Sequence, residues 1–441
     1  MKNILIFLLA FYCGNEIKAQ INTTLNFEEK VHNLINENNV PCVGICIIEN
    51  GELSYAKVFG ELQKSNPAPK NAIFNIASIT KPVVAIVTLK LIESGSWDLD
   101  VPLDKYWIDP DLLNDTLLEK LTTRHVLSHQ SGFPNWRAGQ KLKFEFEPGT
   151  QYQYSGEGFE YLRKSLEKKF NKSLAAISDS ILFNPLGMNS TWYFWNDSIK
   201  KTRFAFGHDS DGNIYEGQDW GYSNAAASLL TTIEDFSKFM VHVMNGAGLS
   251  KELFNEMVKS QVNVKKHISK GLGWGIISDL SNEEYALEHG GSNPGFQSMA
   301  ILLPESEKGI AVFTNGDNGM FVYNNIIAES IDLGHEILGI MNNSYNAPVI
   351  NLSNEILDKY VGTYSRSDVE GYLLHIKREG NDIIISGDGV PSVKLLAEAE
   401  NKFFIKDFGF QYEFVTDENN KVLNLKISEQ GKLLLDAKKI E

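Results

Sequence analysis

The chain has 441 residues, and at roughly 150 residues per domain that length accommodates two or three domains, one with a sizeable core. Hydrophobic residues make up 43% and charged residues 22%, the composition of a globular protein and neither of a collagenous nor of a disordered one. Lys and Arg total 41 against 56 Asp and Glu, for a net charge of -15, so no basic phosphate-tracking surface is expected and nucleic acid is excluded as a partner.

Residues 1–19 carry one early positive charge, Lys2, then an apolar run from Ile4 to Cys13 and a polar stretch ending in a small residue, Ala19. This pattern predicts a cleavable signal peptide and an exported protein, periplasmic or secreted. The apolar run is shorter than the roughly 20 residues of a membrane helix, so no transmembrane helix is expected. Tyr12 is bulky where a lipoprotein leader has a small residue ahead of its cysteine, which favours soluble export over a lipid anchor at Cys13.

Val43–Ile48 and Leu53–Phe59 are β-branched runs flanking Asn50-Gly51, which predicts a hairpin. Cys42 and Cys46 lie four apart on the first strand, about 13 Å from one another, beyond disulfide reach. They read as buried small hydrophobes.

The segment Phe74–Pro82 opens a nearly all-apolar run that stops at Gly95, which predicts a buried helix. Pro82 is tolerable only in a first turn, so the helix should start near Ser78, with Lys81 facing it one turn on. A serine hydroxyl becomes nucleophilic when a neighbouring base takes its proton, and a desolvated lysine at i+3 can be that base. Alone, a Ser-x-x-Lys is more often a helix cap with a surface lysine.

Further along, His125 and His129 have helical i, i+4 spacing without the intervening Glu or a third ligand that zinc chemistry needs, so no metal is expected and they read as a buried, hydrogen-bonded pair. Tyr154 falls in a turn just before a helical stretch. Trp192–Trp195 read as core packing rather than a substrate wall. Asp209–Asn213 lacks the spacing of a calcium loop and reads as a hairpin turn. His289, Gly290, Gly291 and Ser292 follow a strand, and the glycines let backbone amides approach a substrate oxygen. There is no GxSxG, GxGxxG or P-loop lysine, and no cofactor is expected.

After about Leu357 the text changes to short alternating runs between Gly and Asn turns. Tyr372–Lys377, Asp382–Ser386, Lys402–Lys406, Tyr412–Val415, Val422–Ile427 and Lys432–Leu435 predict strands of a small antiparallel barrel or sandwich. The expected division is a main domain over 20–343, a linker over 344–355 and the β domain over 356–441.

The order and spacing of Ser78-x-x-Lys81, Thr123–Gly132, Tyr154 and His289–Gly295 resemble the penicillin-recognising serine hydrolases: class C β-lactamases, D-alanyl-D-alanine carboxypeptidases, and related esterases and D-peptidases. Asn184–Met188 and Ala226–Asp235 reinforce the likeness, which spans about Val40 to Asn318. It implies an α/β fold of the β-lactamase/transpeptidase type, an antiparallel sheet flanked by helices plus a helical subdomain with the nucleophile between them. The tail resembles the lipocalin-like barrels appended to some exported members. By this resemblance Ser78 is the nucleophile, Lys81 its proton acceptor and Tyr154 a general base. The backbone amides of Ser78 and Ser292 form the oxyanion hole, with His289 and Gly291 at the substrate.

Two departures stand out. His289 replaces the lysine of the KTG element, as in the esterase and D-peptidase branches, and Gly156 stands where many relatives have a substrate-holding asparagine. The expected function is hydrolysis of an ester or a D-amino-acid peptide bond through an acyl-enzyme, acting on a small-molecule or peptide substrate. The alternatives are a β-lactamase proper and a catalytically silent penicillin-binding-type envelope protein, against which the intact Ser78, Lys81 and Tyr154 argue. Self-association through the C-terminal domain is left open.

Overall fold

In the computed structural model the described residues are 26–440, apart from 64, 197–198, 200, 219–220, 222, 343–346, 367–372, 388–389, 407 and 430–431. The leader expected over 1–19, with Cys13, lies outside them, as do the first residues of the expected linker.

The main sheet begins with the hairpin expected from Asn50-Gly51: β1 (Cys42–Glu49) and β2 (Glu52–Gln63) pair antiparallel around a turn in which both residues have positive φ. β3 (Asn66–Pro67) is a short edge piece. β4 (Ile73–Asn75) and β5 (Leu230–Thr232) pair apart from the main sheet. β6 (Val262–Lys265), β7 (Ile268–Lys270), β8 (Gly275–Ile277), β9 (Ala286–Asn293), β10 (Phe296–Leu303) and β11 (Lys308–Thr314) complete it. The order is β3-β2-β1-β11-β10-β9-β8-β7-β6, nine strands with antiparallel neighbours throughout.

Both faces of this sheet are covered, which explains why β1 reads as a continuous apolar run rather than an alternating one. Cys42, Cys46 and Ile48 point into one core and Val43 and Ile45 into another. The two cysteines are free and buried, and burial pushes the Cys46 thiol up to about 12. They are the small hydrophobes the sequence suggested.

The helices divide accordingly. α1 (26–37) supplies Val31, Leu34 and Ile35 to the second core. α2 (Thr80–Glu93), α3 (Thr123–Leu127), α4 (Gly156–Phe170), α5 (Leu174–Ser178), α6 (Asn184–Leu186), α7 (Ile233–Met244) and α8 (Lys251–Val258) form the layer over the opposite face. α9 (Gly319–Ser330) and α10 (Gly334–Met341) return to the α1 side and pack Val322, Ile326, Ile327 and Ile337 there. α2 is buried on every side, from Val83 to Leu89, and ends where Gly95 takes a φ of +69.

Beyond α11 (Asn354–Asp358) the strands β12 (Gly362–Arg366), β13 (Leu373–Glu379), β14 (Asp382–Gly387), β15 (Val390–Ala397), β16 (Lys402–Phe404), β17 (Phe410–Thr416), β18 (Val422–Glu429) and β19 (Lys432–Lys439) close into an antiparallel barrel. Alternate residues such as Leu374 and Ile376, Ile383 and Ile385, and Tyr412 and Phe414 fill it. β12 and β15 were not among the expected strands. The first is short and polar, and the second carries Pro391, which demotes a run in any sequence reading. The barrel meets the main domain at α9, where the rings of Phe321 and Phe408 lie 6.0 Å apart and the Ser392 amide donates to Asn318 Oδ1 at 3.2 Å.

Candidate active site

The nucleophile turn is built from backbone constraints. Ser78 lies in a one-turn 3₁₀ helix over Ala77–Ile79, so α2 proper starts two residues later than expected, and Pro82 sits in its first turn. Ala77 is held at a φ of +48, a conformation that costs a non-glycine residue about 1 kcal/mol or more. Its amide donates to Asn75 Oδ1 at 2.8 Å, and Asn293 Nδ2 donates to that oxygen and to the Ala227 carbonyl, both at 3.0 Å. The strained turn is thus tied to the end of β9 and to the 226–227 loop at once.

Lys81 is 1% exposed. Its Nζ lies 3.2 Å from Ser78 Oγ, donates to the Ala226 carbonyl at 2.9 Å and sits 4.6 Å from the centre of the Tyr154 ring. Burial, helped by the nearby Lys270 charge, depresses its pKa to about 7. At neutral pH a large fraction of the amine is unprotonated, with a lone pair beside the serine hydroxyl.

Tyr154 precedes α4, whose N-cap Ser155 accepts from the Gly158 amide at 3.0 Å. Its hydroxyl shares a hydrogen bond with Ser78, and burial holds the phenol above the usual tyrosine range. The ring stacks on His129 at a centroid distance of 4.3 Å, and the Ser155 amide donates to His129 Nδ1 at 3.1 Å. His129 therefore buttresses the tyrosine turn. The expectation of a buried histidine pair needs correcting: α3 ends at Leu127 and His129 has a φ of +58, so the i, i+4 relation no longer describes one helix face. His125 is only partly buried and turns its Nδ1 to the Lys120 carbonyl at 3.0 Å.

β9 closes the cleft on the other side. A Cβ on Gly291 would meet the Ile76 carbonyl oxygen at 2.3 Å, so only glycine lets β9 lie this close to the nucleophile turn. Gly291→Ala is expected to push β9 away, lowering kcat/KM at least about 100-fold because misplaced donors forfeit oxyanion stabilisation, and lowering the melting temperature as well because the clash is with backbone; steady-state kinetics alongside a melting curve would check it. His289 is buried, and its Nδ1 lies 2.7 Å from the Gly290 carbonyl. A carbonyl can only accept, so Nδ1 carries the proton and Nε2 is a bare acceptor; that nitrogen is buried without a partner. Burial and the Lys270 and Lys81 charges hold the ring neutral, well below the usual histidine range.

These groups line a cleft of about 410 Å³ that brings together Ser78, Lys81, Tyr154, His289, Gly291 and Ser292. Sequence reasoning missed six of its residues: Asn135, Trp136, Lys270, Glu288, Gln297 and Tyr323. Asn135 Oδ1 accepts from the Gly156 amide at 3.0 Å, and a Cβ on Gly156 would lie 2.5 Å from the Trp136 indole. The glycine that replaces the family asparagine is thus the space in which the tryptophan lies. Trp192–Trp195 do not line this cleft; Tyr193 is buried and the two tryptophans pack against Ile73, Phe204 and Phe296. The Asp209 amide donates to the Asn213 carbonyl at 2.8 Å, the expected hairpin turn. Among the described residues no group of three or more His, Cys, Asp or Glu could hold a metal ion.

The antiparallel sheet, the helical layer over it and the serine, lysine and tyrosine gathered between them define a mixed α/β protein of the β-lactamase-like class, carrying a β-barrel at its C-terminus. A family profile described as Beta-lactamase matches residues 27–331, and the chain belongs to that family. Penicillin-binding protein 4* of Bacillus subtilis (strain 168) is 23% identical over 417 residues, covering 84% of this chain and 89% of that protein. Protein flp of Staphylococcus aureus (strain COL) is 22% identical over 332 residues, 68% of this chain and 64% of that protein's length. The octameric penicillin-binding protein homologue from Pyrococcus abyssi superimposes with a TM-score of 0.63 at 22% identity, over 94% of this chain and 100% of that one. D-amino acid amidase from Ochrobactrum anthropi SV3 gives 0.57 at 21% identity, over 66% of this chain and 91% of that one.

Proposed function

We propose that the protein is an exported serine hydrolase that cleaves an ester or a D-amino-acid amide or peptide bond through an acyl-enzyme on Ser78. The observation that carries this reading is the pairing of Ser78 with a buried lysine that no carboxylate among the described residues neutralises: Nζ is 3.2 Å from Oγ and its pKa falls to about 7. Lys81 takes the serine proton as Oγ attacks the carbonyl carbon. The oxyanion draws on the backbone amides of Ser78 and Ser292. Tyr154, expected from the resemblance to be a general base, is kept protonated by burial and acts here as a proton relay: it delivers a proton to the leaving group and recovers one from Lys81, so the acylation step ends with both groups as they began. Water then attacks the ester, and the same groups move its proton in the reverse sense.

The leader-like sequence pattern of residues 1–19 supports a periplasmic or secreted location, and no described helix is long and apolar enough to cross a membrane. The Pyrococcus homologue is described as octameric, which supports self-association here, measurable by light scattering.

Esters are favoured over β-lactams. Gly156 offers no side-chain amide to hold a lactam's acyl amide, and the space beside it is filled by Trp136. A missing hydrogen bond costs about 1 kcal/mol net in such a site. Short-chain aryl esters are expected to be hydrolysed with kcat/KM at least about tenfold above that for nitrocefin, equivalent to about 1.4 kcal/mol of transition-state binding. A panel of phenyl acetate, a D-amino acid anilide and nitrocefin tests this ranking. Nitrocefin equal to or above the ester would return the protein to the β-lactamases proper.

A further inference from the structure

Trp136 is an exposed aromatic ring that the fold holds in one place. The backbone on either side of it is tied to the start of α4: the Asn135 carbonyl accepts from the Gly156 and Glu157 amides, both at 3.0 Å, and the Arg137 amide donates to Glu157 Oε1 at 3.1 Å. The Arg137 guanidinium is gripped in turn by Glu157, Asp109 and Asp111, at 3.0, 2.8 and 3.3 Å. Asp109 and Glu157 are buried, so these ties are more than surface ion pairs. The indole between them is nevertheless 41% exposed.

The ring stands between two cavities. On one side is the catalytic cleft of about 410 Å³ that holds Ser78; on the other is a second cavity, also of about 410 Å³, bounded by Trp107, Glu160, Tyr161, Lys164 and Asn224. Among the described residues Trp136 alone lines both. Its place depends on Gly156, where a Cβ would lie 2.5, 2.6 and 2.9 Å from three carbons of the six-membered ring. The indole edge is therefore braced against the turn that carries Tyr154, two residues earlier, and has no room to swing that way.

We propose that Trp136 is a partition that sets the size limit of the substrate: it closes the catalytic cleft on this side, so that the enzyme hydrolyses esters whose substituent there is short. This rests on the acyl-enzyme reading above and adds the dimension of the group that the cleft accepts. A longer chain meets a ring whose backbone is fixed on both sides, and a close-packed site resists added methylenes because neither partner can give way. With the ring cut back, the same chain reaches the second cavity and the rings of Trp107 and Tyr161, whose centroids lie 4.8 Å apart.

The test measures kcat/KM for two series of esters with wild type, Trp136→Phe and Trp136→Ala. In the first, 4-nitrophenyl acetate, butyrate and hexanoate lengthen the acyl group; in the second, phenyl acetate and 4-butylphenyl acetate lengthen the leaving group. Wild type is expected to lose at least about tenfold from the shortest to the longest member of one series. In Trp136→Ala that long-to-short ratio should rise at least about tenfold, equivalent to about 1.4 kcal/mol, with Trp136→Phe in between. A ratio taken within one variant cancels any general fall in rate. A ratio that Trp136→Ala leaves unchanged in both series, or lowers, overturns the partition while leaving the hydrolase standing; a ring that grips long chains instead of excluding them would lower it. Wild type that hydrolyses every length equally well overturns the partition too. If wild type hydrolyses none of the five, the reading of this cleft as an ester hydrolase falls, and the partition with it. Should Trp136→Ala not fold, Trp136→Phe decides against wild type: the long-to-short ratio must rise at least about threefold, and an unchanged ratio overturns the partition.

Discussion

Ser78→Ala is expected to lower ester hydrolysis by at least about 10³-fold while leaving the melting temperature within a few degrees of wild type. The hydroxyl is the atom the proposed reaction consumes and regenerates. The amides of the oxyanion hole survive the substitution, but they then have no tetrahedral intermediate to stabilise. Structurally the change is small. Ser78 is only partly buried at the floor of the cleft, and the turn that holds it is tied down by Asn75, Asn293 and Thr80 rather than by the serine hydroxyl. Steady-state kinetics on a well-folded variant would show the loss, and a residual rate within tenfold of wild type would move the nucleophile elsewhere.

Replacing Lys81 is expected to be as damaging, and the pH profile identifies why. Below about 7 the Lys81 amine is protonated and cannot accept the serine proton; above it the lone pair is available. The profile of kcat/KM should therefore rise with pH through about 7. His129 and His289 stay neutral across that range because burial and the nearby lysine charges hold both well below the usual histidine range, so neither produces the limb. The phenol of Tyr154 titrates only above the usual tyrosine range and leaves the alkaline side flat through pH 9. Lys81→Ala should lose about 10³-fold or more, and Lys81→Arg should not recover it, since a guanidinium stays protonated. Tyr154→Phe should also cost orders of magnitude, and the double variant with Lys81→Ala much less than the product of the two losses, because both groups lie on one proton path. Fully multiplicative losses, or an acid limb unmoved by these changes, would assign the base to another group.

The parts of the site that were legible in the sequence are those carried by local spacing. A nucleophile and its lysine three residues apart on one helical turn must meet, whatever the rest of the chain does. Tyr154 was marked by its place before a helix, and His289–Ser292 by glycines after a strand. The parts that were not legible depend on register between distant strands or on loop paths. Lys270 and Glu288 meet only because β8 intervenes with a glycine at the matching position, and nothing in the seventeen intervening residues signals that alignment. Trp136 enters the cleft from a long irregular stretch, and its reason for fitting lies at Gly156, which the sequence alone presents as a missing asparagine. His125 and His129 show the opposite error, a helical spacing taken at face value across the end of a helix. In the tail, alternating apolar runs such as Asp382–Ser386 were readable as strands, whereas β12 and β15 are held in the barrel by their neighbours' pairing rather than by a pattern of their own.

The central claim is a covalent acyl-type adduct on one serine. Incubating the full chain with a fluorophosphonate probe, digesting it and mapping the modified peptide by mass spectrometry tests that most directly. The account predicts a single adduct on Ser78, formed faster as the pH rises through about 7 and absent from Ser78→Ala. An adduct on another serine, or no adduct with a folded protein at pH 8, would contradict it.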